Sequence, residues 1–169
     1  MNNTKTHITK LTFSRKDLLY DIKNRAYIIG DTMPEDQEHL KHQTTDIGQD
    51  GNVDFVTRIL DVAHAECAEW LFAYTKVPCE EVSEYDNVLR EEENYIINMA
   101  VPEGMSQTTL DLISKLIHEY MVLLVLGRWM HLVGLSSERW EVQAEKTKKQ
   151  ITSRLNARWK RVRLKQHPF

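Results

Sequence analysis

The most apolar part of this 169-residue chain, Leu110 to Val133, constrains the fold more than any other feature. Its uninterrupted segment, Tyr120 to Gly127, is far too short to span a bilayer, so the sequence predicts no contact with a membrane. A helix formed by this segment is apolar on every face for about two turns, and other helices or another subunit must surround it. We therefore expect a buried central helix in a mainly α protein.

Apolar periodicity elsewhere predicts a helical bundle of about four helices. Ser14 to Asp17 has the form of an N-terminal helix cap, and Val56 to Tyr74 follows one apolar stripe. Residues 94–101 have the pattern of one short strand or extended arm. The helices are predicted at residues 14–30, 56–74, 106–133 and 138–165. The last is a long basic helix with a narrow apolar seam of Trp140, Ala144, Thr147, Ile151, Leu155 and Val162.

These elements predict a single helical domain at residues 1–169. Residues 31–52 are polar and contain Pro34, Gly48 and Gly51, which predicts a flexible loop with room for a short helix at residues 35–42. Residues 1–10 lack the apolar core of a signal peptide. Cys67 and Cys79 form no CxxC pair, so a reducing cytosolic setting is expected.

Charge is divided unequally along the chain. The last 25 residues carry nine bases and one acid, a net charge of +8. The preceding 144 residues carry 13 bases and 24 acids, a net charge of −11. The basic end is therefore expected to bind nucleic acid or an acidic protein surface, such as a neighbouring copy of the chain.

The candidate binding surface is the basic segment at residues 154–169, which we call the docking segment. The sequence has no helix-turn-helix spacing, zinc-finger cysteine pattern or RNA-binding aromatic motif, so any nucleic acid would be bound through phosphate without sequence preference. Aromatic and Arg side chains are favoured at interfaces, which makes Trp159 part of the surface. The predicted partner-binding residues are Arg154, Arg158, Trp159, Lys160, Arg161, Arg163, Lys165, Pro168 and Phe169.

Two patterns resemble enzyme metal sites, and both are incomplete. His64-Ala65-Glu66 with Pro78-Cys79 begins a zinc-deaminase signature, but Val82 stands where a second cysteine ligand is required. Asp36 to His39 and Asp61 to His64 have the spacing of carboxylate-bundle metal sites with Asp in place of Glu. There is no P-loop, dinucleotide fingerprint or nucleophile elbow. The sequence predicts no catalytic residues, metal or cofactor, and a binding or assembly protein rather than an enzyme.

Three segments carry a resemblance to a known group of proteins, namely Tyr95 to Pro102, His118 to Trp129, and Ser153 to Arg163 with the closing Pro168-Phe169. Together they resemble structural proteins of tailed bacteriophages and prophages of gut Bacteroidetes, in the head–tail connector (neck adaptor) class. The resemblance covers residues 94–169. The N-terminal half of the chain does not contribute to it.

This resemblance implies a small helical protein that forms a ring, commonly dodecameric, beneath the phage portal protein. The ring would extend the DNA channel, with non-specific contact to the DNA inside it, and offer a platform for further neck or tail proteins. It would lie in the neck of the virion, and in the host cytoplasm during assembly. The C-terminal segment of such adaptors docks onto the portal, which corresponds here to Arg154 through Phe169.

The residues alone leave other functions open. An acidic body and a basic tail complement each other between neighbours in a ring, through a head-to-tail contact that closes. The same tail would serve a nucleic-acid-binding or packaging-associated helical protein that contacts phosphate. An enzyme or metal-binding helical bundle is the third hypothesis.

Overall fold

The computed structural model describes residues 6–77 and 93–158. Within these residues the protein is mainly helical, as predicted, with one small antiparallel sheet. The elements in chain order are β1 (Thr6–Ser14), α1 (Arg15–Asp31), α2 (Glu38–Thr45), α3 (Asp50–Thr75), β2 (Asn94–Pro102), α4 (Gln107–Leu132) and α5 (Glu138–Arg158). Short 3-10 helices, Glu35–Gln37 and Asp46–Gly48, flank α2.

The predicted central helix is α4, and α1, α3 and α5 pack around it. Met121, Val122 and Val125 in its apolar middle are fully buried within the single chain. Burial of side chains of this size stabilises the fold by about 1.5–3 kcal/mol each. A second subunit is therefore not needed to cover this segment, which removes one sequence-based reason to expect an oligomer.

The helices α3 and α5 both run antiparallel to α4. The ring of Phe55, near the start of α3, lies 6.5 Å from that of Trp129 near the end of α4. Further along, the rings of Trp70 and Tyr120 meet edge to face at 5.7 Å. The chain then turns at Gly134, whose φ of 82° suits glycine, and α5 returns along α4. The start of α3 and the end of α5 consequently lie at opposite ends of the bundle.

The two strands form an antiparallel ribbon in which Thr6 lies opposite Pro102 and Ser14 opposite Asn94. The strand predicted at residues 94–101 is confirmed as β2, and Tyr95, Ile97 and Met99 point from it into the core. The sequence did not predict β1, because only Leu11 and Phe13 in its second half are apolar residues facing the core.

The segment at residues 31–52 contains the short helix expected at residues 35–42, but the rest of it is more helical than the loop that the sequence predicts. It contains α2 and both 3-10 helices, and α3 begins at Asp50. The segment also contributes to the core, since Ile47 and Thr44 are fully buried. Gly30 permits this packing, because a Cβ atom there would lie 2.6 Å from Cγ2 of Thr45. The composition of residues 31–52 is polar because most of the segment is exposed and only a few of its positions are buried.

Candidate functional site

The basic C-terminal helix α5 attaches to the bundle through the seam that the sequence predicts. Ala144, Thr147, Ile151 and Leu155 are buried against the rest of the chain. The hydroxyl of Thr147 donates to the carbonyl oxygen of Gln143 at 2.9 Å, so burial leaves it hydrogen-bonded. Close approach to α4 depends on Gly127, where a Cβ atom would lie 3.2 Å from Cβ of Trp140. The predicted seam is confirmed as far as Leu155, and Val162 lies outside the described residues.

The opposite side of α5 presents bases to solvent. Lys146, Lys149 and Arg154 are exposed, and no carboxylate in the described ranges lies within ion-pair distance of them. Lys148 differs, because it is half-buried and its ammonium nitrogen lies 5.6 Å from the ring centre of Trp70. The helix therefore separates an apolar seam from an exposed basic face, a charge that suits an acidic partner.

The structure describes only the beginning of the predicted docking segment. Arg154 is exposed on α5, and Arg158 is the last residue of that helix, with a side chain that is not described. The other predicted partner-binding residues lie outside the described residues, namely Trp159, Lys160, Arg161, Arg163, Lys165, Pro168 and Phe169. Since Leu155 belongs to the seam, the docking segment and the folded domain overlap between residues 154 and 158.

The acidic residues nearest the start of α3 form a second charged surface, which we call the acidic end. They surround α2, and Lys41 is the single Lys or Arg residue between positions 31 and 54. Lys41 lies 3.8 Å from Asp31. Its single positive charge offsets only a small part of the negative charge of the surrounding acids. The acidic end consists of Asp31, Glu35, Asp36, Glu38, Asp46, Asp50 and Asp54, none of which is buried. It lies at the opposite end of the bundle from the exit of α5.

A polar contact between α1 and α4 was not foreseen from the sequence. His118 Nε2 lies 2.7 Å from Asp21 Oδ2, and Arg25 donates to Glu119 at 2.7 Å. The hydrogen bond to Glu119 raises the pKa of Arg25 further above its usual value, against the opposing effect of burial. The one sequence signal was the polar pair at residues 118 and 119 inside an apolar helix. Its partners on α1 are too distant in sequence to be assigned from a pattern.

A cleft of about 320 Å³ lies beside this contact, between the end of β1 and α4. Ser114 and His118 line it, and Asp21 bonds the His118 ring, so the residue types of a nucleophilic triad are close together. No hydrogen bond joins Ser114 to His118, although the structure describes both. The arrangement acts as a bridge between two helices.

Two residues of the incomplete metal patterns, His64 and Asp61, make contacts between α3 and β2. His64 Nε2 lies 3.0 Å from the carbonyl oxygen of Ile96, and the hydroxyl of Tyr95 donates to Asp61 at 2.6 Å. His39 is exposed on α2, well apart in sequence from these two contacts. Among the described residues, no group of three or more His, Cys, Asp or Glu side chains is placed to hold a metal ion. His64 and Asp61 instead attach α3 to β2.

Two buried acidic groups predict a loss of stability in alkaline solution. Burial is the main cause that raises the pKa of the Cys67 thiol well above its usual 9.0, and it raises the pKa of Tyr120 from 10.0 to about 12. A raised folded-state pKa contributes stability below the unfolded value that is lost as pH rises. We expect the free energy of unfolding to fall by about 1 kcal/mol from Tyr120 alone between pH 10 and 11.

Urea unfolding at pH 8, 10 and 11 measures this effect. Tyr120→Phe should flatten the decline above pH 10, while Tyr27→Phe, at a position 61% exposed, should leave it unchanged. Equal slopes for the Tyr120→Phe variant and the parent protein would contradict the assignment.

Comparison with known proteins identifies no relative, since no family model, curated protein or solved structure matches this chain. None of the helices in the described ranges, α4 included, has the length and apolar character needed to span a bilayer.

Proposed function

We propose that the protein is a head–tail connector that forms a ring at the phage portal, joins capsid to tail and extends the DNA channel. The observation that carries this proposal is the separation of charge along the bundle. The acidic end surrounds α2 and the start of α3, whereas α5 carries its bases to the other end. Copies placed head to tail would bring unlike charges together, and such a contact generates a closed ring when the rotation between copies permits.

In this proposal the docking segment at residues 154–169 binds the portal protein. The seam of α5 supports that role, because it fixes the helix to the bundle while Lys149 and Arg154 remain exposed. Many weak contacts around one portal would add through avidity. Further neck or tail proteins would bind the opposite face of the ring, which would be dodecameric as the resemblance implies. The protein would act in the virion neck and assemble in the host cytoplasm.

The alternative is a non-specific nucleic-acid-binding or packaging-associated protein. The exposed bases on the outer face of α5 favour it, since phosphate binding needs a row of accessible cations. Salt separates the two functions. Phosphate contacts by six or more bases would weaken binding to double-stranded DNA by roughly 10³–10⁵ between 50 and 200 mM salt. Closed rings that survive 200 mM salt, with little affinity for DNA, support the connector; a DNA-bound single copy with that steep salt dependence contradicts it.

A further inference from the structure

Among the described residues, no strand pairs with the outer edge of β1. Arg15 N–H donates to the carbonyl oxygen of Glu93 at 3.0 Å, which makes these residues a hydrogen-bonded pair of the antiparallel ladder. Bonded pairs alternate, so the odd-numbered residues of β1 direct their backbone groups to β2. The backbone N–H and C=O groups of Ile8, Lys10 and Thr12 point the other way. Within the described residues β1 has one strand neighbour, β2, so we call this side the open edge.

On the matching edge of β2, a side chain of α3 contacts an outward backbone group. Ile96 lies opposite Thr12, so its carbonyl oxygen points outward from the sheet, and His64 of α3 lies 3.0 Å from it. The open edge instead carries exposed side chains, including Ile8 at 68% exposure. A two-stranded ribbon with an exposed apolar residue on its free edge is a ready template for another strand.

Charge restricts what the open edge can bind. Residues 1–16 contain four bases, Lys5, Lys10, Arg15 and Lys16, and no acid, although the body of the chain is acidic. Lys10 lies in the middle of β1 and is exposed. Two copies of β1 paired about their centres would place Lys10 opposite Lys10, and like charges directly opposite are unfavourable. The charge of the open edge therefore disfavours pairing between two copies of β1 and favours pairing with an acidic strand.

We propose that the open edge of β1 binds the acidic stretch at residues 80–92 of a second copy as an added strand. This stretch holds six acids and one base, with the acids at Glu80, Glu81, Glu84, Asp86, Glu91 and Glu92. In an extended strand, Glu84 and Asp86 share one face, as pairing with Lys10 requires. The backbone hydrogen bonds supply affinity and the charges select the partner.

This contact would join neighbouring copies without the docking segment. The inference rests on the self-association in the proposed function and not on binding to the portal. The strand contact and the connector function can therefore fail separately. If rings form while the open edge stays unprotected, this inference is wrong and the connector stands. If the open edge binds the acidic stretch but no rings form, this inference stands and the connector proposal is wrong.

Amide hydrogen exchange of the full chain, followed by NMR, tests the proposal. The probe is a synthetic peptide of residues 80–92, with a control peptide whose acids are replaced by Gln. The amides of Thr9, Leu11 and Phe13 should be protected throughout, because they bond β2. Those of Ile8, Lys10 and Thr12 should gain protection as peptide is added or as chain concentration rises. Protection that is independent of concentration means that the chain's own residues occupy the edge, and absence of protection at every concentration means that nothing does; either overturns the proposal.

Two variants at one position separate backbone pairing from charge. Lys10→Pro removes an outward N–H that β2 does not use, and proline is tolerated on edge strands, so the variant should fold but lose peptide binding. Thr9→Pro is the matched control, because it removes an inward N–H and should weaken the ribbon itself. Lys10→Glu keeps the N–H and should weaken binding roughly three- to tenfold through like charges. Unchanged peptide binding by the Lys10→Glu variant, which needs no proline to fold, contradicts the proposal.

Discussion

Deletion of residues 159–169 is expected to abolish ring assembly and portal binding while the domain stays folded. The seam of α5 ends in the described structure at Leu155, which this deletion retains. A cut before Arg154 would also remove Leu155 and would confuse loss of binding with loss of packing. We expect the free energy of unfolding to change by less than about 0.5 kcal/mol, as for surface changes generally. Particle mass and urea unfolding, measured on the same preparation, give both results.

A charge variant shows which property of the deleted segment matters. This variant replaces four bases by Gln, namely Lys160, Arg161, Arg163 and Lys165. It keeps the length of the segment and the aromatic residues Trp159 and Phe169. Loss of assembly in this variant assigns binding to charge, whereas assembly that persists assigns it to the aromatic residues or the tip. Assembly of the deletion variant at parental concentration would contradict the role of the docking segment.

Ile151→Ala is expected to cost about 2–5 kcal/mol of unfolding free energy, the range for truncating a buried aliphatic side chain. Ile151 is fully buried and lies between Thr147 and Leu155 on the seam, so the cavity would open beneath the helix that leads to the docking segment. Because folded proteins are marginally stable, this change should also raise the fraction of chains in which α5 is detached from the bundle. We expect assembly to weaken as a result. Urea unfolding followed by circular dichroism measures the first effect.

Gln150→Ala is the matched control. Gln150 directly precedes Ile151 in the same helix and is exposed. Its truncation should change the free energy of unfolding by no more than about 0.5 kcal/mol. A loss at Ile151 no larger than that at Gln150 would mean that the seam does not hold α5, and the description of the site would be wrong.

Elements with strong apolar periodicity could be predicted from the sequence. The middle of α4 is apolar on all faces and is buried as expected, and Ala144, Ile151 and Leu155 form the predicted seam. The packing of residues 31–52 into the core could not be predicted, because it rests on isolated buried positions such as Ile47 in a polar background. The strand β1 also lacked a signal, since it is stabilised by pairing with β2, whose partner residues lie about 90 positions away.

The candidate site was predictable in charge and not in geometry. Composition alone identifies the basic C-terminal segment and the acidic remainder. The placement of the acidic end opposite the exit of α5 depends on the antiparallel packing of α3 and α5 on α4, which only tertiary contacts such as Phe55 with Trp129 reveal. The bridge from Asp21 to His118 is non-local for the same reason. Packing within the chain also covers α4, so the case for a ring depends on charge rather than on exposed core.

Native mass spectrometry with negative-stain imaging tests the central claim most directly, on the full chain at moderate salt, with and without a portal protein of a tailed phage. The account predicts closed rings, or a portal particle heavier by one whole ring of copies, and loss of that mass when residues 159–169 are removed. A chain that stays a single copy at high concentration and leaves the portal bare would contradict it.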